Sequence, residues 1–155
     1  MCYYTSCNNA NGGKTLMAEK KTVFLTGASG HMGWAGFKEL YKKKDKLNIV
    51  LLLRDSEKNR KKFANYLNDP SVKIVWGDLK KYDDVLKCVE GSDYVLHVGG
   101  MVSPSADYYP TKTIQTNTTA AKNIVDAVKA QPNKDDIKVV YIGTVAQTGD
   151  RNAPI

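Results

Sequence analysis

The sequence is poor in cysteine and has no hydrophobic run long enough to cross a membrane. Its three cysteines, Cys2, Cys7 and Cys88, have neither the number and spacing of a disulfide framework nor those of a zinc site. No run approaches the roughly 18 consecutive apolar residues that a membrane-spanning helix needs. The first 16 residues also lack the apolar core of a secretory signal. We therefore expect no metal site, no membrane contact and a cytoplasmic protein whose thiols are reduced.

Positive charge is in excess, in a pattern typical of solvated surfaces. Lysine and arginine number 23 against 16 acidic residues, which gives a net charge of +7. The basic clusters at 42–44, 58–62 and 80–81 fall on predicted helix surfaces or helix starts. They favour a mild attraction for phosphorylated ligands, and no nucleic-acid-binding motif accompanies them. We therefore expect a small-molecule substrate and no nucleic acid.

The composition is that of one ordinary globular domain. Hydrophobic residues make up 42% and charged residues 25% of the 155 positions, and this length is enough to bury a sizeable core. The residues before Met17 are polar and irregular, and Met17 leads into the first predicted strand. We expect residues 1–18 to be a disordered extension and residues 19–155 to be the folded domain.

A glycine turn within residues 22–33 is the most informative stretch. The apolar strand Val23–Leu25 runs into Gly27, Gly30 and Gly33, and a helical pattern follows at once. A strand, a glycine turn and a helix N-terminus together form an anion site, because backbone amides and the helix dipole point at the ligand. The alternative is a turn without a ligand, which is weaker because three glycines cost backbone entropy for no packing gain. The residues predicted to bind a dinucleotide here are Gly27, Ser29, Gly30, His31, Met32 and Gly33.

Apolar segments alternate with helical patterns along the chain. Continuous apolar runs such as residues 48–54 are typical of strands that are buried on both faces of a parallel sheet. The alternation predicts an α/β fold, a doubly wound Rossmann sheet of about five parallel strands with helices on both faces. The predicted strands are 23–25, 48–54, 72–76, 93–98 and 137–142, and the helices after the first are 57–67, 82–89 and 114–130.

The spacing Thr-Gly-x-x-Gly-x-x-Gly at residues 26–33 resembles that of a known family. It is similar to the extended short-chain dehydrogenase/reductases, the NAD(P)-dependent epimerase/dehydratase group, and the resemblance extends over about residues 20–150. The shorter, single-domain branch of that superfamily has glycine where this sequence has His31. The resemblance implies a Rossmann domain that binds a nicotinamide dinucleotide and serves an oxidoreductase.

The same resemblance assigns residues that follow the third and fourth predicted strands. It implies that the Asp-Leu pair at 78–79 contacts the adenine ring, although aspartate is also favoured as a helix N-cap. It implies that small residues at 98–100 let the backbone approach the cofactor's central phosphates and ribose. His97 lies within the strand and is interpreted as a buried structural histidine. The residues carried over in this way are Asp78, Leu79, Val98, Gly99 and Gly100.

The end of the second predicted strand bears on the choice of cofactor. NAD-preferring proteins place a carboxylate there, about 20 residues past the fingerprint, to bind the ribose hydroxyls. Here Arg54 stands 21 residues beyond Gly33, with Arg60 further along. The pair resembles that of NADPH-using members such as dihydroflavonol and cinnamoyl-CoA reductases, since a guanidinium binds a 2′-phosphate well. We expect NADP; the neighbouring Asp55 leaves NAD open, and Arg60 alone is equally consistent with a surface arginine.

The residues that carry the family's chemistry are only partly present. The resemblance implies that Thr144 hydrogen-bonds the reacting oxygen, beside a tyrosine and a lysine four residues apart that relay a proton. Tyr108 and Lys112 have that spacing, but they precede Thr144, and Pro110 between them obstructs a shared helix. We expect the true pair beyond residue 155, in the remainder of a protein about twice as long. The given chain is then expected to bind nucleotide without turnover.

Three functions remain open at this stage. The first is NADP-dependent interconversion of a ketone and a secondary alcohol on a small organic substrate. The second is an NAD-dependent epimerase or dehydratase of sugar nucleotides. The third is a dinucleotide sensor or scaffold without catalysis. For the full-length protein, the resemblance also implies a homodimer.

Overall fold

One parallel sheet of five strands organises the part of the chain that this computed structural model describes, residues 19–144. The strands are β1 (Lys21–Thr26), β2 (Leu47–Leu53), β3 (Val72–Trp76), β4 (Tyr94–His97) and β5 (Lys138–Tyr141). They lie in the order β3-β2-β1-β4-β5, and each neighbouring pair is parallel. This arrangement confirms the predicted doubly wound α/β fold. The extension expected at residues 1–18 lies outside the described residues, as do residues 145–155.

Five α-helices accompany the sheet in the described part of the chain. They are α1 (His31–Tyr41), α2 (Glu57–Phe63), α3 (Tyr82–Val89), α4 (Ser105–Tyr108) and α5 (Pro110–Lys129). α2 is shorter than predicted because the chain tightens into a 3-10 turn at Ala64–Tyr66. α5 begins at Pro110 and not at residue 114, since proline suits the first position of a helix. None of the described helices is both long enough and apolar enough to cross a bilayer.

The central strands fill a core on each face of the sheet. Successive side chains of a strand point to opposite faces, so Phe24 and Val95 pack toward α3 and α5. Leu25 packs on the other face, where Phe37 of α1 and Phe63 of α2 lie. Because both faces are covered, β1 and β2 carry the continuous apolar runs seen in the sequence.

The strand order reverses next to β1. The chain proceeds outward from β1 to β2 and β3 and then returns to place β4 on the other side of β1. The carboxyl ends of β1 and β4 are therefore neighbours, with Thr26 in register with His97. Open α/β sheets bind ligands in the crevice at such a reversal. The predicted site residues follow the carboxyl ends of the five strands, so the fold brings them to one edge of the sheet.

Candidate functional site

The turn after β1 has the backbone geometry of an anion site. Gly27 has a φ of +72°, a left-handed conformation that favours glycine, and its carbonyl accepts a hydrogen bond from Gly30 N at 3.0 Å. Gly30 is the N-cap of α1, which begins at His31. Within residues 19–144 no side chain caps this helix, and its first turn contains no acidic residue. The first N–H groups of α1 are therefore available to an anion, which the helix dipole also favours.

Two of the three turn glycines are required by packing within the protein. A Cβ at Gly33 would lie 2.0 Å from the Gly27 carbonyl oxygen, and one at Gly27 would lie 2.7 Å from Gly99 Cα. The sequence-based argument that these glycines bring no packing gain is therefore wrong at both positions. At Gly30 a Cβ would meet only the Gly27 oxygen, at 3.4 Å, and residues 30–32 are exposed. The outer edge of the turn is thus open, and its predicted contact with a diphosphate stays a prediction.

The hydroxyl of Thr26 joins this turn to the end of β4. Its Oγ1 accepts hydrogen bonds from Val98 N at 3.1 Å and Gly99 N at 2.9 Å, and it lies 2.8 Å from His97 Nδ1. A hydroxyl accepts two hydrogen bonds and donates one, so its proton is directed at Nδ1 and the imidazole proton lies on Nε2. Burial lowers the pKa of His97, whose exposed fraction is 4%. His97 is therefore a buried, hydrogen-bonded histidine, as predicted, whereas the role of Thr26 was not predicted.

Lys62 of α2 contacts the turn from the side of the second strand. Its Nζ donates to the Ser29 carbonyl at 2.9 Å and lies 4.3 Å from the ring centroid of Trp34. Burial lowers the pKa of Lys62, and the nearby charge of Lys58 adds to this effect. The ammonium group brings positive charge to the turn and holds Ser29 in position. The sequence assigned Lys62 to a solvated cluster, because nothing local indicates a contact across 33 positions.

A cleft of about 560 Å³ lies between the turn and the end of β2. Arg54 is exposed there, and its carbonyl accepts a hydrogen bond from Asn59 Nδ2 at 2.8 Å. Asp55 accepts two hydrogen bonds from Arg60, which lower the pKa of the Asp55 carboxyl. Arg60 therefore points at Asp55, and its contact with a 2′-phosphate stays a prediction. The cleft is lined by Ser29, Gly30, Arg54, Asp55, Ser56, Lys58 and Asn59.

The loop after β3 forms the opposite side of the crevice. Asp78 accepts a hydrogen bond from the Lys80 backbone N–H at 2.9 Å, and the N-cap of α3 is residue 81. A Cβ at Gly99 would lie 3.0 Å from Leu79 Cδ1, so Leu79 lies close beside the end of β4. The expected contacts of Asp78 and Leu79 with adenine stay predictions, as does the approach of cofactor to residues 98–100.

Two asparagines of α5 hold the loops on this side of the crevice. Asn123 Nδ2 donates to the Leu79 carbonyl at 2.8 Å. Asn117 bonds both backbone groups of Met101, donating to its carbonyl at 3.0 Å and accepting from its N–H at 2.8 Å. Next to this pair, a Cβ at Gly100 would lie 3.4 Å from Asn117 Oδ1. Side-chain amides with both a donor and an acceptor suit this task, and the role of Asn123 was not predicted.

The structure separates the tyrosine and lysine that were rejected as a catalytic pair. Tyr108 is the last residue of α4, whereas Lys112 lies in α5, which begins at Pro110. The Lys112 ammonium lies 5.9 Å from the ring centroid of Tyr109. Thr144 is exposed and follows the carboxyl end of β5, at the same edge of the sheet as the glycine turn. Its predicted hydrogen bond to the reacting oxygen stays a prediction.

The chain matches the NAD dependent epimerase/dehydratase family over residues 23–155. It belongs to that family. Among curated relatives, it is 33% identical over 128 residues to UDP-glucose 4-epimerase of Rickettsia bellii (strain RML369-C). It is 30% identical over 128 residues to UDP-glucose 4-epimerase of Rickettsia felis. Each alignment covers 80% of this chain and 36% of the relative, so the chain spans about a third of the length of these family members.

Solved structures share the Rossmann fold of this family member. The Bordetella bronchiseptica enzyme WbmH in complex with NAD+ gives a TM-score of 0.65 at 22% identity, covering 84% of this chain and 41% of that one. Pen from Bacillus thuringiensis gives 0.64 at 23% identity, covering 73% of this chain and 35% of that one. Family membership confirms the predicted family and a nicotinamide dinucleotide as its cofactor. The relatives are named as epimerases, so they favour the second function considered above over the first.

The Thr26 hydroxyl is expected to stabilise the folded chain. Replacing Thr26 with valine leaves the partly buried Val98 and Gly99 N–H groups and the buried His97 Nδ1 without their partner, so we expect the free energy of unfolding to fall by about 2–3 kcal/mol. Urea denaturation measures this change. Thr26→Ser keeps the hydroxyl and should recover most of the loss; equal urea midpoints for the two variants would contradict the role of the hydroxyl.

Lys62 is expected to support ligand binding more than stability. Lys62→Met keeps the aliphatic chain over Trp34 but removes the donor to Ser29, a change worth roughly 1 kcal/mol. We expect dinucleotide affinity, measured by isothermal titration calorimetry, to fall about fivefold. Lys61→Met is the matched control, because Lys61 is an exposed residue of the same helix that pairs with Glu57. Equal losses in both variants would show that only net charge matters.

Proposed function

We propose that this chain provides the dinucleotide site of an enzyme that moves a hydride reversibly at a secondary alcohol carbon of a nucleotide-linked sugar. The observation that carries the proposal is the glycine turn, whose open outer edge and uncapped helix N-terminus suit a diphosphate. Family membership supports the same reading.

The residues of the chain have distinct tasks in this proposal. The backbone N–H groups at the start of α1 bind the diphosphate, and Lys62 holds the turn that presents them. Thr26 and the two asparagines of α5 keep the loops of the crevice at a fixed separation. The nicotinamide, when bound, supplies the hydride acceptor and donor. Thr144 hydrogen-bonds the substrate oxygen, which holds the reacting carbon in place.

The substrate class rests on the curated relatives. Those relatives are named UDP-glucose 4-epimerase, and they match the chain over 128 residues. An epimerase of this kind returns the hydride to the same substrate, so the cofactor shows no net change. A sugar nucleotide is therefore the substrate class that we propose for the whole protein.

A second candidate is an NADP-dependent reductase of ketones. The residues that follow β2, where the adenosine ribose is expected, favour this candidate. Arg54 stands where NAD-preferring proteins carry an acid, and Asp55 is already bonded to Arg60. A site without a free carboxylate favours a 2′-phosphate. The relatives and the cleft thus support different candidates, and the product of the reaction distinguishes the two.

The full-length product of the gene tests this function. Incubated with UDP-galactose and a trace of dinucleotide, it is expected to form UDP-glucose without net build-up of reduced cofactor. Thr144→Val is expected to lower kcat about a hundredfold, as removal of one hydrogen bond to a reacting oxygen does. Tyr108→Phe is the control and should leave kcat unchanged. Failure to convert any sugar nucleotide, with consumption of NADPH on ketones, would establish the second candidate instead.

A further inference from the structure

The carboxylate beside the β2 end of the cleft is occupied by a neighbouring arginine. Arg60 Nε lies 2.6 Å from Asp55 Oδ1, and Arg60 Nη2 lies 2.8 Å from Asp55 Oδ2. Such two-point contacts orient both groups, because the guanidinium and the carboxylate are planar. Each Asp55 oxygen thereby accepts one hydrogen bond from Arg60, and the positive guanidinium offsets the charge of the carboxylate.

Arg60 is held in this position from a second side. Its guanidinium carbon lies 4.9 Å from the ring centroid of Trp76, the last residue of β3. The ring of Trp76 and the carboxylate of Asp55 together define one orientation for the side chain. The arginine is therefore fixed across the ends of two neighbouring strands.

The ion pair of Arg60 and Asp55 contributes little to the stability of the fold. The side chains of Arg60 and Asp55 are 54% and 55% exposed, and exposed ion pairs contribute little to stability. The pair instead offsets the negative charge of Asp55 at the edge of the cleft. Arg54 and Lys58 line the cleft, and neither takes part in an ion pair within residues 19–144. Among the described residues, the cleft therefore carries two cations without an ion-pair partner and one carboxylate that is paired with Arg60.

We infer that Arg60 selects the cofactor by neutralising Asp55, so that the cleft accepts an adenosine ribose that carries a 2′-phosphate. Arg54 and Lys58 bind the phosphate, and Arg60 acts through Asp55 without touching the ligand. The inference rests on the proposed dinucleotide site and adds its specificity. It differs from the sequence-based expectation, in which Arg60 contacts the phosphate itself.

The test measures the affinities of the chain for NADP+ and NAD+ by isothermal titration calorimetry. The wild type is expected to bind NADP+ more tightly. Arg60→Gln frees the Asp55 carboxylate, whose repulsion of a nearby phosphate should lower the ratio of NADP+ to NAD+ affinity about tenfold. Lys61→Gln removes the same charge from the same helix and should change the ratio less than twofold, by roughly the weak effect of a screened surface charge.

The double variant Asp55→Asn/Arg60→Gln separates an indirect role from a direct one. With the carboxylate gone, the loss of Arg60 should matter little, and the ratio should return to within about threefold of the wild type. A ratio as low as in Arg60→Gln would overturn the inference, because Arg60 would then contact the phosphate directly. An NAD+ preference in the wild type, or an unchanged ratio in Arg60→Gln, would also overturn it. Absence of binding by either dinucleotide would contradict the proposed function itself.

Discussion

The close approach of the turn after β1 to the end of β4 is the constraint on which the site depends. Glycine at 27 and at 99 removes the two side chains that would separate these backbones. The buried hydroxyl of Thr26 then accepts two N–H groups of the β4 end and fixes their distance from the turn. This contact sets the width of the crevice at the point where the strand order reverses. The open edge of the turn faces that crevice.

The charged groups around the crevice are held by the elements that form it. The start of α1 lacks an acidic residue, and Lys62 adds an ammonium group behind the turn. At the end of β2 the carboxylate of Asp55 is paired with Arg60. Lys62 at the turn and Arg54 and Lys58 in the cleft therefore bring positive charge to the side of the crevice nearest β2. In the proposed site this charge binds any nicotinamide dinucleotide, and the proposed choice between NAD and NADP depends on a few side chains at the end of β2.

Local patterns in the sequence predicted most of the fold. The apolar run of β3 and the helical spacing of α3 predicted the bounds Val72–Trp76 and Tyr82–Val89, because both signals lie within the segment itself. The contacts that shape the site could not be predicted in this way. Thr26 and His97 are 71 positions apart, and Lys62 reaches Ser29 only through the packing of α2 beside the turn. The pairing of Arg60 with Asp55 is local, but it depends on a rotamer that spacing does not determine.

The central claim is that the backbone N–H groups of residues 27–33 bind the diphosphate of a nicotinamide dinucleotide. Titration of the isotope-labelled chain with NADP+ and NAD+, followed by amide nuclear magnetic resonance, tests it residue by residue. We expect the largest chemical-shift changes at Gly30, His31, Met32 and Gly33, with a second group at Gly99 and Gly100. Changes centred on the opposite edge of the sheet, or none at saturating dinucleotide, would contradict it.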